Sequence, residues 1–137
     1  MYVITGATGN TGSVAAKRLL AQGKKVRVIG RSADRLQSLA TAGAEPFVAE
    51  LSDATSLAKA FSGADGVYVM IPPNAASKDP LADRERITDA LVAALKSSGV
   101  KHVVSLSSVG ADKPDKTGRN ARVQVGPGEV CFGHVGL

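Results

Sequence analysis

Tryptophan is absent from this 137-residue chain, which carries only two tyrosines and three phenylalanines. So few rings exclude an aromatic platform for stacking bases or sugars. The single cysteine, Cys131, cannot form an internal disulfide, which fits a reducing cytoplasm. His134 and Cys131 do not have metal-ligand spacing, and His102 opens a strand and reads as structural. No apolar run approaches the ~18 residues of a membrane span, and no charged segment leads into a signal-like apolar stretch. We therefore expect a soluble, cytoplasmic protein with no membrane partner. Lysine and arginine exceed aspartate and glutamate by 17 to 12, a net charge of +5. These cations are scattered, with the densest groups at Lys17-Arg18 and Lys24-Lys25-Arg27, so no nucleic-acid stripe is drawn. Asp83 and Glu85 lie two apart on a helix and face different ways, so they do not form a catalytic carboxylate pair.

What the chain does have is glycine, and three glycines stand at the start. Met1 to Gly12 reads MYVITGATGNTG, an apolar strand running into a turn with Gly6, Gly9 and Gly12, then a helix. Glycines let backbone turn tightly and approach a ligand without a Cβ in the way. The helix that follows points unpaired N–H groups and a partial positive charge at that turn, which suits a pyrophosphate. The spacing is GxxGxxG, not the GxGxxG of the usual fingerprint. A second apolar strand, Val26 to Ile29, closes a βαβ unit of about the ~30 residues such a site needs. The reading is a dinucleotide site of Rossmann type.

The nucleotide is read at the end of the second strand. An acid there holds the ribose 2′-OH of NAD, whereas an arginine accepts the 2′-phosphate of NADP. This chain has Gly30-Arg31-Ser32 and no acid, with Arg35 in reach of the same helix start. Arg31 offers a planar, permanently charged fork matched to phosphate. NADP(H) is expected in preference to NAD(H).

Apolar runs and helical stretches alternate, so the fold class is α/β, a three-layer Rossmann fold with parallel sheet order 3-2-1-4-5. The expected strands are Tyr2–Thr5, Lys25–Ile29, Pro46–Glu50, Gly66–Ile71 and Val100–Leu106. The expected helices start near Thr11, after Ser32, near Ala54 and at Pro80, the last ending at Ser98 before Gly99. Ligands in such sheets lie beyond the carboxyl ends of the strands. Glu50 and Leu51 are thus candidates beside the adenine, and Asp53 is either a further adenine contact or a helix N-cap. Ile71 and Pro72 would pass the nicotinamide ribose, and Ser107 would face the nicotinamide or a substrate, unless the serines there merely end the strand.

Thr5 to Gly12, Gly30-Arg31-Ser32 and Leu106 to Ala111 together resemble the NmrA-like branch of the atypical short-chain dehydrogenase/reductases, over residues 1 to about 118. That branch includes NADPH-dependent reductases of quinones and plant phenylpropanoids, and redox sensors that bind NADP without turnover. The resemblance implies that Gly6, Thr8, Gly9, Asn10, Thr11 and Gly12 hold the pyrophosphate, Arg31 the 2′-phosphate, and Ile71 with Pro72 the ribose side. The wider superfamily's Tyr-x-x-x-Lys is missing, because neither Tyr2 nor Tyr68 has a lysine four residues on. No catalytic residue is therefore assigned, and no small-molecule substrate can be read. A hydride can still pass from bound NADPH by positioning alone.

The domain is expected to span 1–118, with 119–137 an atypical tail and no separate domain. From Arg119 the tail has no helical period where the family has a helix, so the chain is truncated relative to the family. That points to a frameshift near Gly118 or a truncated product, or else to a short protein whose tail forms a loop or an edge strand through Arg122–Val125. Lacking that helix, Val67, Val69, Val103 and Val104 would be left partly open, which predicts a homodimer.

Overall fold

The computed structural model describes residues 1–72 and 76–106, and the backbone of 130–133. Strands and helices alternate as β1 (Tyr2–Ile4), α1 (Asn10–Ala21), β2 (Val26–Gly30), α2 (Ala33–Thr41), β3 (Glu45–Val48), α3 (Ala54–Phe61), β4 (Gly66–Val69), α4 (Pro80–Ser98), β5 (Val103–Leu106) and β6 (Val130–Gly133). Every strand pair is parallel, in the order β3-β2-β1-β4-β5-β6. The first five strands keep the expected order. The edge strand falls at Val130–Gly133, while Arg122–Val125 lie outside the described residues.

Both faces of the sheet are covered, which is why the central strands read as apolar without interruption. Adjacent residues point to opposite faces. Val3, Ile29, Val67, Val69 and Val103 pack with Leu57, Phe61, Leu91 and Leu95 of α3 and α4. Ile4, Val26 and Val28 pack with Ala16 of α1 and with Leu36 and Leu39 of α2. Full burial of such a side chain stabilises by roughly 1.5–3 kcal/mol. Against the expectation that all four valines stand partly open, three are covered. Val67, Val69 and Val103 are buried under α3 and α4, at 2%, 4% and 7% exposure, and only Val104 stands open, at 42%. Val104 lies on the other face, where it pairs in register with Tyr68.

The helix ends follow local chemistry. Asp79 caps α4 by accepting from the Ala82 amide, Pro80 fills the first turn, and Gly99 ends the helix in the left-handed region at φ 69°. Arg27, one of the scattered cations, is bound: its Nε donates to Glu45 at 3.0 Å and its Nη1 to the Ala60 carbonyl at 2.6 Å, tying β2 to β3 and α3. The terminal amine of Met1 pairs with Asp65, whose carboxyl it holds below its usual range. Among the described residues no helix is long and apolar enough to cross a membrane.

Candidate cofactor site

The site begins where β1 stops. Thr5 is wholly buried, its amide donating to the Tyr68 carbonyl and its hydroxyl accepting from the Met70 amide, each at 2.9 Å. Gly6 then turns into the left-handed region at φ 60°, and a Cβ there would meet Met70 Cε at 2.6 Å. The Gly9 amide closes the turn on the Gly6 carbonyl at 2.9 Å. Gly9 is the N-cap of α1 and brings no side-chain cap, and the first turn holds no acid. The leading N–H groups of α1 and its dipole thus face the turn, and neither the turn nor α1 carries an acidic residue, an arrangement that favours a phosphate. Of the six expected pyrophosphate residues, Thr8 and Asn10 are exposed, Gly6, Gly9 and Thr11 half-buried and Gly12 buried.

Beside this turn lies a cleft of about 360 Å³ between α1 and α2, lined by Ala7, Thr8, Ser13, Lys17, Arg35, Ser38 and Leu39. Among the described residues its lining carries two cations and three hydroxyls and no carboxylate. Arg35 was expected near this place; Lys17, Ser13 and Ser38 were not. Helical spacing could have found them, because Ser13 and Lys17 lie four apart and Arg35 and Ser38 three apart. Arg31 stands exposed just past β2 and does not line the cleft. Ser32 occupies the N-cap of α2, yet its hydroxyl makes no cap bond.

The remaining candidates divide. Asp53 is the N-cap of α3, accepting from the amides of Thr55 and Ser56 and from the Ser56 hydroxyl. That hydroxyl bond, above all, lowers its carboxyl below the usual range. Glu50 is exposed, while Leu51 packs against the core under α3 and α4. Ile71 and Pro72 are half-buried past the end of β4, with Ile71 against the same core. Ser107 lies outside the described residues. A contact missed in the sequence joins Tyr68 to the turn: its hydroxyl donates to Thr11 Oγ1 at 2.9 Å. The signal was a lone hydroxyl inside a buried apolar strand, since a buried tyrosine O–H finds a partner.

A glycine turn between β1 and α1, at the carboxyl edge of a parallel sheet, defines a Rossmann-type dinucleotide-binding protein. A family model described as NAD(P)H-binding matches residues 6–128, and the chain belongs to that family. The (4-alkanoyl-5-oxo-2,5-dihydrofuran-3-yl)methyl phosphate reductase of Streptomyces griseus is 35% identical over 116 residues, 84% of this chain and 37% of its own length. The NAD(P)H azoreductase of Xenophilus azovorans is 29% identical over 121 residues, 87% of this chain and 40% of its own. This chain thus spans about two-fifths of the curated relatives it matches. Among solved structures, a nucleoside-diphosphate-sugar epimerase from Pseudomonas aeruginosa superposes with a TM-score of 0.68 at 31% identity, over 80% of this chain and 34% of that one. The Citrobacter sp. triphenylmethane reductase complexed with NADP(H) shares the fold, with a TM-score of 0.72 at 24% identity, over 82% and 39%.

Proposed function

We propose that this chain holds NADP(H), with the pyrophosphate on the glycine turn and the 2′-phosphate at the mouth of the α1–α2 cleft, in the service of hydride transfer to a small quinone or carbonyl. The carrying observation is the cleft itself: Lys17 and Arg35 face it beside Thr8, and among the described residues no carboxylate lines it to receive a free 2′-OH. Arg31, exposed just past β2, is the other cation that could meet that phosphate. The reductase names of the relatives support the reaction class. Bound NADPH would supply the hydride; the turn, the cleft, Ile71 and Pro72 would orient it.

One observation favours a second reading, a sensor that binds NADP(H) without turnover and acts through a protein partner. The chain's two tyrosines are both committed elsewhere: Tyr68 donates to Thr11, and Tyr2 stands at the start of β1, the end remote from the turn. Neither is placed as a proton donor to a substrate. Titrating NADPH and NADH, then following quinone-dependent NADPH oxidation, tests both readings. Tighter NADPH binding with turnover supports the reductase. Tighter NADPH binding without turnover supports the sensor, and NADH binding at least as tightly as NADPH refutes the NADP(H) reading.

A further inference from the structure

Tyr68 belongs to the buried strand β4, in register with Ile4 of β1 on one side and Val104 of β5 on the other. Its ring packs against the core beneath α1 and α2. The hydroxyl, however, leaves that core and reaches Thr11, the second residue of α1, at 2.9 Å across 57 residues of sequence. Met70, two residues further along the same face, takes hold of the turn at its other end, through Thr5 and against Gly6. Tyr68 on β4 and Met70 just past its end thus support the turn at three points, Thr11, Thr5 and Gly6.

We propose that Tyr68 is a positioning residue for the cofactor pyrophosphate, acting through the Thr11 hydroxyl. A phenol is the stronger acid of the two hydroxyls, so it donates and Thr11 Oγ1 accepts. Accepting that bond leaves the hydrogen of Thr11 available to point outward, and a hydroxyl that accepts one hydrogen bond becomes a better donor in the next. The bond also selects one side-chain rotamer of Thr11, which in a helix would otherwise divide between two. The threonine therefore presents a fixed, polarised donor beside the bare N–H groups of the α1 N-terminus. This rests on the reading that the glycine turn holds the pyrophosphate.

The test uses the full chain and two probes: NADPH, and 2′-AMP, which carries the 2′-phosphate but no pyrophosphate. Tyr68→Phe removes one oxygen and keeps the ring. The expected result is an NADPH affinity roughly 3- to 10-fold weaker, the range for one lost hydrogen bond, with 2′-AMP affinity unchanged. Thr11→Val should weaken NADPH at least as much, and the double variant no more than Thr11→Val alone, because both act through one bond. Additive losses overturn the proposal, as does an equal loss for both probes, which would mark a general effect on the fold. If Tyr68→Phe does not fold, Thr11→Ser and Thr11→Val read the bond from its other end. Serine keeps the acceptor and should bind NADPH near the original affinity; a valine variant binding as tightly as the original chain overturns the proposal. An original chain that binds 2′-AMP but gains nothing from the pyrophosphate refutes the reading of the turn itself, and this proposal with it.

Discussion

Replacing Gly12 with alanine sets two effects against each other at one atom. Alanine is favoured over glycine in a helix by about 1 kcal/mol. Gly12, though, is buried in the first turn of α1, where a Cβ would fall inside contact of the Gly6 carbonyl oxygen, 2.9 Å from the Gly6 carbonyl carbon and 3.0 Å from the Ala7 Cα. All three are backbone atoms, so no side chain can rotate aside. Overpacking costs ~1–3 kcal/mol, and backbone contacts place this case near ~3 kcal/mol. The clash wins by about 2 kcal/mol, which at ~4 °C per kcal/mol lowers the melting midpoint by roughly 8 °C. Relief requires α1 to back away from the turn, and with it the N–H groups proposed to face the pyrophosphate. Losing one charge-assisted bond, worth ~1.5–3 kcal/mol, weakens NADPH by at least ~10-fold. Gly23→Ala is the control, with φ +71° and nothing within 4 Å of its Cβ. It carries backbone strain of ~1–2 kcal/mol at the far end of α1 and should leave NADPH affinity unchanged. Thermal melts and fluorescence titrations of both variants decide the matter. A Gly12→Ala protein that melts no lower than the original and binds NADPH equally well would refute the reasoning.

Arg35→Gln and Lys17→Met should each weaken NADPH by about 5- to 10-fold, leave NADH unchanged, and lose their effect in 1 M salt, where screening acts within ~3 Å. If Arg31→Gln alone abolishes the preference while these two do not, the 2′-phosphate does not sit at the cleft. Asp53→Ala should lower the melting midpoint at pH 7, since the cap of α3 is lost. The Asp53 carboxyl lies lower in the folded chain than unfolded, so its stabilisation is full above the ordinary carboxylate range and fades as pH falls through the folded value. A gap between variant and original that persists undiminished at the lowest pH would contradict this. The homodimer stays a proposal on the exposed Val104 alone, and a monodisperse monomer in light scattering at high concentration would end it.

The order of the first five strands was legible because each is a short run bounded by glycine or polar residues, with a helical stretch between. Helix α4 was legible to the residue, because Pro80 can only begin a helix and Gly99 supplies the left-handed residue that ends one. The strand ends were less so. The fifth apolar run starts at Val100, but pairing begins only at Val103, with the His102 carbonyl already engaged by the Val67 amide. Asp53 had two readings in the sequence, and its three hydrogen bonds choose the cap. Arg27 looked like one more surface cation because nothing local announces Glu45 and the Ala60 carbonyl, which meet it only when β2, β3 and α3 come together.

The site shows the same division between local and assembled signals. The glycine turn is local chemistry, fixed within seven residues, and so could be read directly. The cleft and the support of the turn arise only when distant elements pack. Lys17 faces Arg35 because α1 and α2 lie side by side on one face of the sheet. Strand β4 carries the point furthest. Its run Gly66-Val67-Tyr68-Val69 reads as uniform core, yet successive residues serve opposite faces. Val67 and Val69 fill the core under α3 and α4, while Tyr68 and, beyond the strand end, Met70 hold the glycine turn. Shifting β4 by one residue would put Val67 and Val69 beneath the turn and the Tyr68 hydroxyl into an apolar core without a partner. The register that buries the valines is therefore the same register that builds the site, and the tyrosine hydroxyl penalises the alternative.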